Sequence, residues 1–110
     1  MSFSIIPTEG FGRELKRLSK KYLSLKKEYA ELLGSLEKNP RMGTSIGKNC
    51  YKIRLSIQSK GKGKSGGARV ITHLIVKMEI ETLYLLKIYD KSEQENISIS
   101  ELNGLLTEIK

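Results

Sequence analysis

Cysteine and histidine each occur once in this chain of 110 residues, and that scarcity closes off several kinds of chemistry. A lone Cys50 permits no intramolecular disulfide and suits a reducing compartment. With only His73 beside it there is no Cys/His set for a structural zinc or a metallohydrolase centre, so no metal and no cofactor are expected. A zinc-protease helix motif and a dinucleotide fingerprint are both missing. The segment KGKGKSGG at 60–67 has glycines and a Lys-Ser pair, but it lacks phosphate-loop spacing and leads into a strand rather than a helix. No apolar run approaches the length of a bilayer, and the N-terminus lacks the charged-then-apolar pattern of a secretion signal. A cytoplasmic protein with no membrane partner is the expectation.

Acidic residues are the other shortage. From Arg41 to Arg69 there are eight Lys or Arg and no Asp or Glu. At the centre stands a glycine-spaced ladder, Lys60, Lys62 and Lys64, between two strand-like runs, CYKIRLSI and ARVITHLIV. A basic surface without compensating carboxylates attracts polyanions, and nucleic acid is the commonest of these in a cell. From Glu79 onward seven acids face three lysines, so the net charge of +8 is concentrated upstream.

The length suits one domain, spanning 1–110. SFSII reads as a short strand, stopped by Pro7 and Gly10. Phe11, Leu15, Leu18 and Tyr22 form the apolar stripe of a first helix, and Leu25, Tyr29, Leu32, Leu33 and Leu36 that of a second. Ser24 is the expected N-cap between them, and Asn39-Pro40 the stop. Arg13, Lys16, Arg17, Lys20 and Lys21 share the exposed side of the first helix. A solvated surface is the plainer reading of that face; Arg13, Lys16 and Lys20 as phosphate contacts is the functional one. After the Gly-rich stretch 43–47, strands are expected over 50–57, 68–77 and 82–89. Ser98 with Glu101 reads as a capping box opening a last helix through Leu102, Leu105, Leu106 and Ile109. The order β-α-α-β-β-β-α describes an α+β domain: a helical hairpin on one face of a mainly antiparallel four-stranded sheet, its other face open.

In the first of these three strands Tyr51, Ile53, Leu55 and Ile57 alternate with Lys52, Arg54 and Ser56. Lys52 and Arg54 therefore project from one side, and Arg69, at the start of the next strand, reaches the same face. Converging cations bind phosphate, and they also do chemistry. An Arg stabilises a five-coordinate phosphorus, and a Lys among other cations accepts a proton from a ribose 2′-hydroxyl. The plainer alternative is the wet side of an amphipathic strand, and composition leaves both open. His73, among Ile71, Leu74 and Ile75, reads as a packed residue, and Cys50 as a small buried thiol.

The strings CYKIRLSIQSKGKGKSGGARVI, RELKRLSKKYLSLKKEYAELLGSLEKNP and LYLLKIYDKSEQENIS together resemble the RelE/HigB group of bacterial type II toxins, within the RelE/ParE superfamily. The resemblance runs from about Phe3 to Leu106 in matching element order. It implies an mRNA interferase that acts in the ribosomal A site, with the ribosome, mRNA and a cognate antitoxin from the same operon as partners. It implies Lys52 or Arg54 as base or phosphate ligand, Arg69 as transition-state stabiliser, and Lys91 as a further basic residue of the catalytic set. Lys48 and the loop lysines Lys60, Lys62 and Lys64 are the expected RNA and ribosome contacts. Many members place a Tyr shortly after the last strand; here 92–98 holds neither Tyr nor His, and Tyr89 is the nearest aromatic. The alternative function is a non-cleaving toxin or a ParE-like gyrase inhibitor, although that branch generally lacks the basic cluster.

Overall fold

The computed structural model describes residues 2–61 and 63–109, without the side chains of Lys64 and Ser65. In chain order the elements are β1 (Ser2–Pro7), α1 (Glu9–Lys21), α2 (Leu25–Lys38), β2 (Thr44–Gly47), β3 (Cys50–Leu55), the single turn α3 (Gly63–Gly66), β4 (Ala68–Lys77), β5 (Ile80–Asp90) and α4 (Ile99–Thr107). The sheet has five strands in the order β1-β5-β4-β3-β2, with β1 parallel to β5 and the other pairs antiparallel. The α+β class is the expected one, with one strand more than the four expected. That strand is β2, an edge strand in the Gly-rich stretch. Its pairing with β3 shifts between Ser45 and Gly47, and Lys48 and Asn49 close the turn at φ 57° and 58°. At its entry Gly43 has φ 99°, and a Cβ there would stand 2.6 Å from the Lys52 carbonyl oxygen. Only glycine fits that approach.

The helical hairpin packs as its stripes require. Phe11 and Leu18 of α1 and Leu25, Leu32 and Leu36 of α2 are buried with Ile53, Val70, Leu74, Leu83, Leu85 and Ile88 of the sheet. Each fully buried leucine or phenylalanine there contributes roughly 1.5–3 kcal/mol. The N-cap that makes its hydrogen bond is Thr8, which accepts from the Phe11 amide at 3.3 Å. Ser24 holds the cap position of α2 without that bond: its backbone is already helical, and its hydroxyl engages Glu28 and Ser59 instead.

The second face of the sheet, expected to be open, is partly covered. α4 lies across it, with Leu102 buried among Cys50, Ile71, Leu86 and Tyr89. Ser98 does cap this helix, accepting from the Glu101 amide at 3.0 Å. A helix with an apolar stripe needs apolar sheet beneath it, and Ile71 and Leu86 provide it.

The pairing of β4 with β5 slips by one residue. Ile71 lies opposite Lys87 and Thr72 opposite Leu85, so Leu86 is the extra residue of a bulge. Before the bulge Leu83 and Leu85 face the helical hairpin; after it Ile88 takes that face. Lys87 and Tyr89 are thereby turned toward α4, where Lys87 pairs with Glu101 and Tyr89 packs near Leu102.

Candidate nucleic-acid interface

The register assembles a row across three strands on the α4 face. Arg54 of β3 lies opposite Arg69 of β4, and Arg69 lies opposite Tyr89 of β5. One row along stand Lys52, Ile71 and Lys87. Like charges directly opposite each other destabilise a sheet, so the Arg54–Arg69 register brings two cations together at a local electrostatic cost. Arg69 is 5% exposed, and its Nη1 donates to the Ala68 carbonyl at 3.1 Å. Tyr89 is 4% exposed, and its hydroxyl has no hydrogen-bond partner among the described residues. Burial pushes the Tyr89 phenol up from its ordinary pKa, against the opposing pull of the Arg69 charge. Lys87 pairs with Glu101 at 2.8 Å and stands 5.9 Å from the centre of the Tyr89 ring.

The turn 91–96 forms the rim of this face. Lys52 Nζ donates to Asn96 Oδ1 at 3.3 Å, and Lys91 Nζ donates to the neighbouring Glu95 carbonyl. The Lys91 amide in turn donates to the Gly67 carbonyl at 3.0 Å, which fixes the turn against the start of β4. So Lys52, Arg54 and Arg69 share one face, with Lys91 beside it. Lys48, in the β2–β3 turn, donates to Asn103 of α4.

Other expected contacts lie elsewhere. Lys60 is not an exposed loop lysine: its side chain is 7% exposed and pairs with Asp90, which is fully buried on the opposite side of the sheet from the arginine row. Asp90 also accepts from the Tyr22 hydroxyl at 2.6 Å, the Ser92 amide at 2.9 Å and the Ser92 hydroxyl at 2.6 Å. Burial alone would raise this carboxyl; the Lys60 ammonium and the Ser92 and Tyr22 donors more than offset it and hold it well below the usual carboxylate range. The base of the loop is tied to α2, since the Gln58 amide donates to Glu28 and the Ser59 amide to Ser24. Lys62 and the side chain of Lys64 fall outside the described residues. Arg13 stands 3.9 Å from Glu9 on the exposed side of α1, and Lys16 and Lys20 line a shallow hollow with Lys26. That hollow belongs to the helical layer, apart from the arginine row.

Cys50 and His73 are cross-strand partners, with Sγ 3.4 Å from Nδ1. Burial pushes the thiol up to about 11 despite nearby Lys48, so it stays protonated and is no nucleophile. His73 is four residues along β4 from Arg69, about 13 Å away at strand rise. Among the described residues no group of His, Cys, Asp and Glu is placed to hold a metal. Sequence pattern alone singles out neither Lys87 nor Asn96, and it gives Tyr89 no role. Strict alternation from Leu83 and Leu85 would send Lys87 and Tyr89 into the helix-facing core, and only the bulge reverses this.

No protein-family profile matches the chain. Among solved structures, the backbone is similar to that of the E. coli toxin RelE, in the free state of a doubly Arg-to-Ala mutant. The TM-score is 0.62 at 16% sequence identity, covering 100% of both chains. The fold is RelE-like. At that identity the likeness concerns the path of the chain, while the identity of each site residue is this sequence's own.

Proposed function

We propose that this chain is the toxin of a toxin–antitoxin pair and an endoribonuclease that cuts mRNA on the ribosome. The observation that supports this best is the row Arg54–Arg69–Tyr89 flanked by Lys52 and Lys87, four cations and a phenol on one sheet face. RNA brings its own nucleophile. The Lys52 amine acts as the base that takes the proton of a ribose 2′-hydroxyl, and the freed oxygen attacks the adjacent phosphorus. Arg54 and Arg69 hold the non-bridging oxygens as negative charge builds on them. The bond to the 5′-oxygen breaks, and the Tyr89 hydroxyl passes its proton to that leaving oxygen. The products are a 2′,3′-cyclic phosphate and a 5′-hydroxyl end. Tyr89 thus takes the general-acid place for which 92–98 offers no Tyr or His. Lys91 adds positive charge at the rim. The partner is a cognate antitoxin whose acidic or amphipathic segment covers the basic face or replaces α4.

One observation favours the second reading, a toxin that binds without cutting. Arg69 and Tyr89 are both buried, with Leu102 of α4 packed in the same cluster as Tyr89. A substrate therefore reaches the Tyr89 hydroxyl only once the side chains packed over it shift, which a toxin that merely binds does not need. Primer extension on a translated message separates the two readings. Discrete cuts within codons, reduced a hundredfold or more by Arg69→Ala in a folded protein, are the expected result. An uncut message with inhibited gyrase, or Arg69→Ala cutting as the parent does, overturns the proposal.

A further inference from the structure

The turn residues SEQENIS, 92–98, have no role in the chemistry described so far, yet their hydrogen bonds converge on one lysine of the site. Asn96 Oδ1 accepts from Lys52 Nζ at 3.3 Å and from the Ile97 amide at 3.0 Å. The second bond fixes the amide orientation, because only the oxygen accepts from a backbone N–H, so the oxygen and not the NH2 group faces Lys52. Gln94 Nε2 donates to the Asn96 carbonyl at 2.9 Å and to Glu101 at 2.9 Å, which fastens the turn to the first turn of α4.

The partners of the lysines on the two faces of the sheet differ in kind. Lys60 is paired with Asp90, Lys21 with Glu93 and Lys87 with Glu101, all carboxylates. Lys52 and Lys91 donate instead to neutral oxygens, the Asn96 amide and the Glu95 carbonyl. A carboxylate beside an amine favours its charged form, whereas an amide oxygen orients the amine without an opposing full charge. Among the described residues, the charges named around Lys52 are those of its own face. Arg54 lies two residues along β3, Arg69 lies on β4, and Lys87 lies on β5 with its charge met by Glu101 of α4. Lys91 and Glu95 lie in the turn, and the direct strand neighbours Thr44 and Ile71 bring no charge.

We infer that Asn96 is a positioning residue for Lys52, a neutral acceptor that aims the amine across the arginine row without setting a full negative charge against it. This rests on the endoribonuclease reading, in which Lys52 is the base.

The test compares the parent with Asn96→Asp and Asn96→Ala by two measurements. The first is competitive acetylation of the Lys52 amine across pH, read by mass spectrometry, which needs no cleavage. The second is the pH–rate profile of message cleavage on ribosomes. Aspartate keeps the acceptor and adds a charge, so both the acetylation midpoint and the acid limb of the rate should move up by about one pH unit or more. The Asp variant should regain the parent rate at high pH. Alanine removes the acceptor without adding a charge, so the rate should fall about tenfold or more at every pH with an unmoved limb and unchanged KM. Superimposable acetylation curves for parent and Asp variant overturn the inference. So do equal losses in the two variants at every pH, which would mark Asn96 as merely structural. A parent that cuts no message, while its acetylation responds as described, sinks the nuclease reading and leaves the geometric role of Asn96 standing.

Discussion

Replacing Asp90 by Asn tests whether the end of β5 is held by charge. The carboxylate is fully buried and receives Tyr22, both donors of Ser92 and the ammonium of Lys60. Asparagine has nearly the same shape, but it strands the Lys60 ammonium, whose side chain is 7% exposed, without a counter-charge. Lys21, half-exposed at 3.8 Å, is a second cation rather than a remedy. Removing one partner of a buried pair costs roughly 3–5 kcal/mol, a large part of the stability of a domain this size. The dependence on pH follows from the depressed carboxyl. Its folded pKa lies below the unfolded value of about 3.9, so between the two values the unfolded chain binds the extra proton. The stabilisation is complete above about pH 5 and shrinks as pH falls below about 4, by up to ~1.4 kcal/mol per pH unit. Urea unfolding at about pH 7, 5, 4 and 3 reads this directly. Parent and Asp90→Asn should differ by roughly 3–5 kcal/mol at neutral pH, with the gap closing below about pH 4. Adding Lys60→Met to Asp90→Asn should recover part of the loss, because the stranded charge is gone. A constant offset at every pH, or none, refutes the buried pair. It would also return Lys60 to the loop surface as a candidate RNA contact.

Tyr89→Phe should lower the proposed cleavage by about a hundredfold while leaving the melting temperature unchanged or slightly raised. The hydroxyl it removes makes no hydrogen bond among the described residues, so primer extension and thermal unfolding together decide the point. Gly67→Ala should destabilise the protein by about 1–3 kcal/mol, since a Cβ there would stand 2.1 Å from the Leu55 carbonyl oxygen. An unchanged denaturation midpoint would contradict the close packing of the loop onto β3. Hydrogen exchange with and without the proposed antitoxin should show protection lost over Ile99–Thr107, because this nine-residue helix is marginal alone and the proposal has a partner helix replace it. Protection gained there would mean that the antitoxin masks the basic face with α4 in place.

Local patterning determined much of this protein. β4 runs Ala68–Lys77 as its β-branched run requires, and Lys52 and Arg54 share a face because strand alternation leaves no other choice. Ser98 caps α4 because a serine oxygen three residues ahead of an amide N–H is a local geometry. What the linear pattern did not contain came from contacts far apart in the chain. β2 is four residues long in a glycine-rich stretch, and it becomes a strand only because β3 offers it an edge. Lys60 looked like one of three equivalent lysines until the fold brought Asp90, thirty residues on, to meet it. Tyr89 and Lys87 reach the arginine row through the extra residue at Leu86, which reverses the faces of everything after it. A period-two pattern carries no notice of such an insertion, because a bulge is a property of two strands paired, and only tertiary structure pairs them.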